Sequence, residues 1–375
     1  MAAADRRYAG VGIQAVEPTA STFRTLPRTV RDREGRPHVF ARDIGIDLGT
    51  ANVLIFMRGK GIVAREPSVV AVDLDTNQVL AVGEEARRMI GRTPGNIAVI
   101  RPLKAGVIAD YTMTEVMLKH LVRRVLGRRP LFRPQIAVCV PSGVTVVEQR
   151  AVIEACMQAG AKKVCVISEP MAAALGAGLN IVDPGGNMVV DIGGGTTDVA
   201  VISMGGEVVS DSVRVGGDDL DEAIVRYVRR EFNLLIGEQT AEEIKCKIGC
   251  VHDPDEDETV EVRGRDTITG LPRATELSAL QVYEALQEPM QAIINAIRSV
   301  LEKTPPELAG DIINRGIVLT GGGALLRGIQ DLVRLETRVQ AVVADDPLTC
   351  VARGTSRVLE EIHRLPAETV SFRVS

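Results

Sequence analysis

The chain has 375 residues, too many for one ordinary core and about right for two or three lobes. Hydrophobic residues at 45% and charged residues at 25% are the balance of a globular protein, which excludes collagen-like and wholly disordered chains. A formal net charge of −5 and 3% aromatic residues, with no Trp, argue against nucleic acid as a partner, and no apolar run reaches the ~20 residues that span a bilayer.

Residues 1–42 carry eight Arg against four acids, with scattered Pro and no periodic pattern. They read as a basic extension, disordered or arising from a misplaced start codon; a weak electrostatic tether is the other reading. No short apolar core marks a secretory signal there. Six Cys (139, 156, 165, 246, 250 and 350) do not form a disulfide scaffold in a chain of this length, so a reducing, cytoplasmic location is expected. Cys246, Cys250 and His252 lack the second pair that zinc spacing requires.

Regular patterning begins at Asp43. DIGIDLG is an apolar strand running into Gly49, and TANVLIFMRGKG returns as a second strand. EPSVVAVDLDTNQVLAVG gives two more strands around a turn. Met113, Val116, Met117, Leu121 and Val125 fall on one face of a helix over 112–126. IAVCVPSG is a buried strand, 144–159 a helix, KVCVISEP a strand and MAAALGAGL a small-residue helix. At Met188 the opening pattern recurs: MVVDIGGGTTDVAVIS is again strand, Asp, Gly-rich turn and returning strand, with Asp191 lying 144 positions after Asp47. The repeat predicts two similar lobes in an α/β fold, each contributing one hairpin. Beyond it, GGDDLDEAIVRYVRREF is an amphipathic helix, Thr240 to Glu243 reads as a capping box, and Ser278 with Gln281 as another. Pro289 is expected to kink the helix that follows. IVLTGGGALLRG reads as strand, Gly turn and helix start.

Phosphate is readily held by backbone N–H groups, and Gly lets the backbone approach with no Cβ in the way. Gly49-Thr50-Ala51-Asn52, Gly193-Gly194-Gly195-Thr196-Thr197 and Gly321-Gly322-Gly323-Ala324 meet that need, and none has a Walker A ending or a dinucleotide fingerprint. Asp47 and Asp191, each at a strand end before its turn, would suit Mg²⁺, which retains waters and leans on one or two acids plus phosphates. The third loop is expected to open a helix whose N-terminus meets the nucleotide.

The order of DLGTAN, SEPMAAALGAGL, DIGGGTTDVAV, GEQTAEEIK and TGGGALLRG resembles the actin, sugar-kinase and heat-shock-chaperone ATPase superfamily. EPSVVA, RPLKAGVIADY, PPELAGDI and DPLTCVARG narrow the resemblance to the bacterial actins of the MreB/Mbl family, from Asp43 to about residue 363. The resemblance implies an actin-like fold, two similar lobes, each with a smaller subdomain, around a central nucleotide cleft. Lobe I would span 43–182 and lobe II 183–345, with 346–375 returning to lobe I. It implies ATP and Mg as cofactors. Thr50, Ala51 and Asn52 match the first phosphate hairpin, and Gly194, Gly195 and Thr196 the second. Glu242, Glu243, Ile244 and Lys245 match the turn beside adenine and ribose, and Gly322, Gly323, Ala324 and Leu325 the loop over the nucleoside. Glu169 matches the residue that orients the attacking water, with Thr196 assisting. Hydrolysis of this kind needs a metal, phosphate donors and a positioned water rather than covalent help. Two positions depart from the family pattern: Ser168 stands where a second Glu is usual, and Asp198 where Glu is usual. The second puts the rate of hydrolysis in doubt more than nucleotide binding.

Residues 123–133 (RRVLGRRPLFR) crowd Arg123, Arg124, Arg128, Arg129 and Arg133 around Leu131 and Phe132. A solvated basic loop is one reading. A membrane contact is the other, since Arg is attracted to anionic headgroups at ~1 kcal/mol each near the surface. The family binds membranes through a loop at this position, which favours contact through Leu131, Phe132, Arg128, Arg129 and Arg133. The resemblance thus implies an ATP-binding, slowly hydrolysing filament former that directs cell-wall synthesis and rod shape. Its partners would be copies of itself in paired protofilaments, the inner face of the cytoplasmic membrane and cell-elongation membrane proteins, without nucleic acid. The rival readings are a chaperone-type ATPase, a small-molecule kinase and a nucleotide-bound scaffold that does not hydrolyse.

Overall fold

The computed structural model describes residues 43–127, 133–361 and 371–374. Two sheets carry the architecture. The first is built from β1 (Ile44–Leu48), β2 (Asn52–Met57), β3 (Gly61–Pro67), β4 (Gln135–Val140) and β5 (Lys163–Ser168). The second is built from β6 (Asn187–Ile192), β7 (Thr197–Ser203), β8 (Gly206–Val213), β9 (Ile317–Thr320) and β10 (Ala341–Val343). The first runs β3-β2-β1-β4-β5 and the second β8-β7-β6-β9-β10, the same order twice. In each, a three-strand antiparallel meander is followed by two strands parallel to its first member. Parallel neighbours need long crossovers, and helices fill them. The recurrence of Asp-Ile/Leu-Gly in the sequence is therefore a duplication of the whole sheet, with Asp47 and Asp191 at matching strand ends. β11 (Ser371–Val374) adds an antiparallel edge to the first sheet beside β5.

The crossovers include α1 (Tyr111–Leu126), α2 (Val146–Gln158), α4 (Gly217–Phe232), α5 (Glu238–Ile248) and α6 (Ala279–Lys303), while α3 (Glu169–Gly176) joins the first sheet to the second and α7 (Cys350–Glu361) follows β10. α1 buries Met117, Leu118, Leu121 and Val122 against the first sheet, as the spacing of its apolar residues dictates. α4 and α6 do the same for the second sheet through Leu220, Ile224, Leu286, Ile293 and Ile297. A third core lies between the two sheets, where Met171, Ala172 and Leu175 of α3 meet Val351 and Val358 of α7. These two helices cross so closely that a Cβ at Gly354 would stand 1.8 Å from the Ala172 carbonyl oxygen. Small three-stranded sheets, Val70–Asp73 with its neighbours and Leu234–Leu235 with its neighbours, extend each lobe.

Ser278 and Gln281 form the expected capping box on α6, and that helix runs through Pro289 as one element. Thr240 does not cap its helix. α5 starts earlier, at Glu238 after Gly237, because the extended backbone at Gly237 already supplies the entry and places Thr240 inside the first turn. The loop after β9 does not open an α-helix either. Gly322–Leu325 is a single 3₁₀ turn, and the α-helix begins at Ile329.

Candidate functional site

Between the lobes lies a cleft of about 470 Å³, lined by both Gly-rich hairpins, by one side of α5 and by the loop after β9. That volume is within the range of small-molecule and cofactor sites. The first hairpin joins β1 to β2. Ser68 pins it from just beyond β3, donating its hydroxyl to the Gly49 carbonyl at 2.6 Å and its N–H to the Ala51 carbonyl at 2.9 Å. Thr50 Oγ1 accepts the Gly106 N–H at 2.9 Å. The second hairpin, between β6 and β7, is closed by the Gly193 N–H to the Thr196 carbonyl and seated on the start of α4, whose Gly217 and Asp218 amides donate to the Gly193 and Gly194 carbonyls. The two hairpins meet across the lobes. A Cβ at Gly194 would lie 2.6 Å from the Ala51 methyl, so only glycine permits this approach.

Behind the hairpins is a carboxylate-lined floor. Asp47, Glu169 and Asp191 line the cleft, with Glu169 8% and Asp191 5% exposed. Burial pushes Asp47 up to about 7, partly offset by the Cys139 thiol beside it. Burial likewise pushes Asp191 up to about 7, although Thr320 Oγ1 donates to its Oδ1 at 2.7 Å. Glu169 is driven well above the usual carboxylate range by burial, then by Asp198, Asp191 and Asp47. Among the described residues no three His, Cys, Asp or Glu side chains form a metal cage. Acids lining a cleft floor without caging a metal suit a hard dication that keeps its waters and completes its shell with phosphate oxygens, which is the habit of Mg²⁺.

The other end of the cleft is formed by α5 and the loop after β9. Lys245 Nζ bridges Asp221 Oδ1 and the Gly217 carbonyl, each at 2.8 Å. Burial raises Asp221 to about 6 despite that ammonium. Glu242 pairs with Arg87, and Arg101 Nη2 reaches Glu238 at 3.0 Å, so charged pairs span the lobes at the mouth. Leu325, Leu326, Leu348, Val351 and Cys246 supply an apolar wall suited to a flat ring.

Of the residues expected at this site, Asp47, Thr50, Ala51, Asn52, Glu169, Asp191, Gly194, Gly195, Thr196, Glu242, Lys245, Gly322, Gly323 and Leu325 line the cleft. Ile244 and Ala324 turn into the core of the second lobe, and Glu243 is exposed outside the lining. Asp198, expected near the phosphates, is fully buried beneath the lining and accepts the Ser142 N–H at 2.9 Å. Gly106, Asp218, Asp221, Leu348 and Val351 line the cleft without having been singled out. The acids of GGDDLDE opening a helix were the available signal for the two aspartates. Of the basic loop, Arg128, Arg129, Leu131 and Phe132 lie outside the described residues, Arg133 is exposed, and Arg124 is engaged by Glu66. No described helix is long and apolar enough to cross a membrane.

A family model described as MreB/Mbl protein matches residues 41–367. The cell shape-determining protein Mbl of Bacillus subtilis (strain 168) is 53% identical over 333 residues, 89% of this chain and 100% of that protein. The cell shape-determining protein MreB of Escherichia coli (strain K12) is 55% identical over 331 residues, covering 86% and 95%. Among solved structures, MreB 5 of Spiroplasma citri bound to AMPPNP superposes with a TM-score of 0.82 at 40% identity, covering 86% of this chain and 96% of that one.

Proposed function

The chain belongs to the MreB/Mbl family of actin-like proteins, and from that premise we propose that it is a cell shape-determining bacterial actin that binds ATP with Mg²⁺, hydrolyses it slowly and assembles into membrane-associated filaments. The observation that carries the reading is the contact of Ala51 with Gly194, which brings two glycine hairpins from duplicated sheets face to face above a carboxylate floor. Backbone amides of the hairpins would hold the phosphates, and the loop 322–325 with α5 would hold the nucleoside. A bound Mg²⁺ would neutralise phosphate charge between Asp47 and Asp191, mostly through water. Glu169 at the start of α3 would orient the attacking water, with Thr196 beside it. Binding of AMPPNP and of ADP by the Spiroplasma citri relative supports a nucleotide in this cleft.

In this reading lobe I spans 43–182 and lobe II 183–345, with 346–375 returning to lobe I. Self-assembly is head-to-tail and open-ended, pairs of protofilaments associate, and weak membrane contacts repeated along a filament sum to firm binding. Leu131 and Phe132 with Arg128, Arg129 and Arg133 supply each contact on the inner face of the cytoplasmic membrane, where cell-elongation membrane proteins are the further partners and cell-wall synthesis is directed. Electron microscopy of the full chain with ATP, Mg²⁺ and anionic vesicles tests the whole. Paired filaments on the lipid are expected. Dispersed monomers whose ATP turnover is stimulated by a sugar or by an unfolded polypeptide would overturn it in favour of a kinase or a chaperone-type enzyme.

A further inference from the structure

We propose that Glu207 is a positioning residue that straps the second lobe to the strand ends of the first and so fixes the place of Glu169. The inference rests on the hydrolytic reading above and adds to it a residue outside the cleft lining. Glu207 is the second residue of β8, the edge strand of the second sheet. Its carboxylate accepts two hydroxyls that belong to the other lobe. Ser168 Oγ donates to Oε1, and Ser142 Oγ donates to Oε2 at 3.4 Å.

The two serines lie at the same end of neighbouring strands. Ser168 is the last residue of β5 and is bonded directly to Glu169; Ser142 lies two residues beyond the end of β4. β4 and β5 are parallel neighbours, so one carboxylate holds both ends together. Asp198 completes the strap from β7. Its Oδ1 takes the Ser142 N–H at 2.9 Å, and its side chain stands against the Glu169 carboxyl. Farther along the same seam Arg214 faces Glu148 at 3.8 Å. An acceptor placed between two donors on different strands restrains both, and hydrogen bonds to a charged group are stronger than those between neutral partners.

The arrangement also accounts for the two departures from the family pattern. With Glu at 168, a second carboxylate would meet Glu207 directly, and like charges at that distance cannot both ionise without penalty. Ser168 removes the clash and turns the contact into a hydrogen bond. The charge that would stand on β5 is supplied from β8, while Asp198 at its shorter length accepts the Ser142 N–H.

Three variants test the strap against ATP turnover, binding of a fluorescent ATP analogue and thermal midpoint. For Glu207→Ala, kcat is expected to fall ~10-fold, with analogue affinity within about twofold of wild type, because Glu169 shifts and the hairpins do not. Glu207→Gln keeps an acceptor and recovers most of the rate. Ser168→Glu combined with Glu207→Ala returns the carboxylate to β5 and recovers the rate to within ~3-fold, whereas Ser168→Glu alone is slower than wild type. Wild-type kcat in Glu207→Ala, or no recovery in the double variant despite an unchanged thermal midpoint, overturns the proposal. Amide hydrogen exchange over 141–144 and 169–172 decides it independently of turnover. Faster exchange there in Glu207→Ala is expected, and unchanged exchange overturns the strap. Absence of turnover by the wild type itself would count against the hydrolytic reading alone.

Discussion

Neutralising one acid on the cleft floor should stabilise the nucleotide-free protein, and only at pH values where that acid would otherwise ionise. Asp191 is the cleanest position, because Asn is isosteric and its amide oxygen can still accept the Thr320 hydroxyl. Burial raises the Asp191 carboxyl from 3.8 to about 7, so the folded state resists ionisation there. Below pH 3.8 the acid is protonated in both folded and unfolded chains and carries no penalty. The penalty grows as pH rises past 3.8 and is complete above about 7. The interval of about three pH units corresponds to about 4 kcal/mol. Asp191→Asn should therefore unfold in urea with about 4 kcal/mol more stability than wild type at pH 8, as an upper bound, and about 1.5 kcal/mol more at pH 5. The measurement is circular dichroism in chelator without nucleotide, at both pH values. The same variant should lose most of the thermal shift that Mg²⁺ with ATP gives the wild type, since a neutral amide attracts a dication far less than a carboxylate does. Equal gains at pH 5 and pH 8, or no gain at pH 8, would refute the reasoning, because the acid would then be neither strained by burial nor awaiting a cation.

Other consequences are direct. Gly194→Val drives a side chain into Ala51 and should weaken binding of a fluorescent ATP analogue by at least ~10-fold; unchanged affinity would mean that the hairpins do not meet in solution. Gly354→Ala places a methyl against the Ala172 carbonyl where α3 and α7 cross and should cost about 1–3 kcal/mol in chemical denaturation. Leu131→Ser with Phe132→Ser should abolish co-sedimentation with anionic liposomes in ATP, and undiminished pelleting would remove that loop from the membrane contact.

What could be read along the chain and what could not divides by the range of the physics involved. Each phosphate hairpin announces itself within ten residues, because an apolar strand, an acid and a run of Gly are all local requirements. The repeat of that pattern 144 positions on was enough to expect two similar lobes, each contributing one hairpin, but not the order of their strands, which crossover rules narrow without fixing. Errors arose where two local signals competed. Thr240 with Glu243 satisfies a capping pattern, yet the extended backbone at Gly237 starts α5 three residues sooner. The remaining features are long-range and polar. Glu207 meets Ser168 across 39 positions, Ser142 meets Asp198 across 56, and Arg87 meets Glu242 across 155. None leaves a period, a spacing or a composition to detect, because a hydrogen bond between lobes constrains only two side chains. The departures at Ser168 and Asp198 were visible as odd letters in an otherwise regular pattern, and they acquire a physical cause only when β8 is seen to bring a third carboxylate between them. Where a local rule is broken at a cleft edge, the compensating group should be sought on the opposite lobe, and Glu207 is that group here.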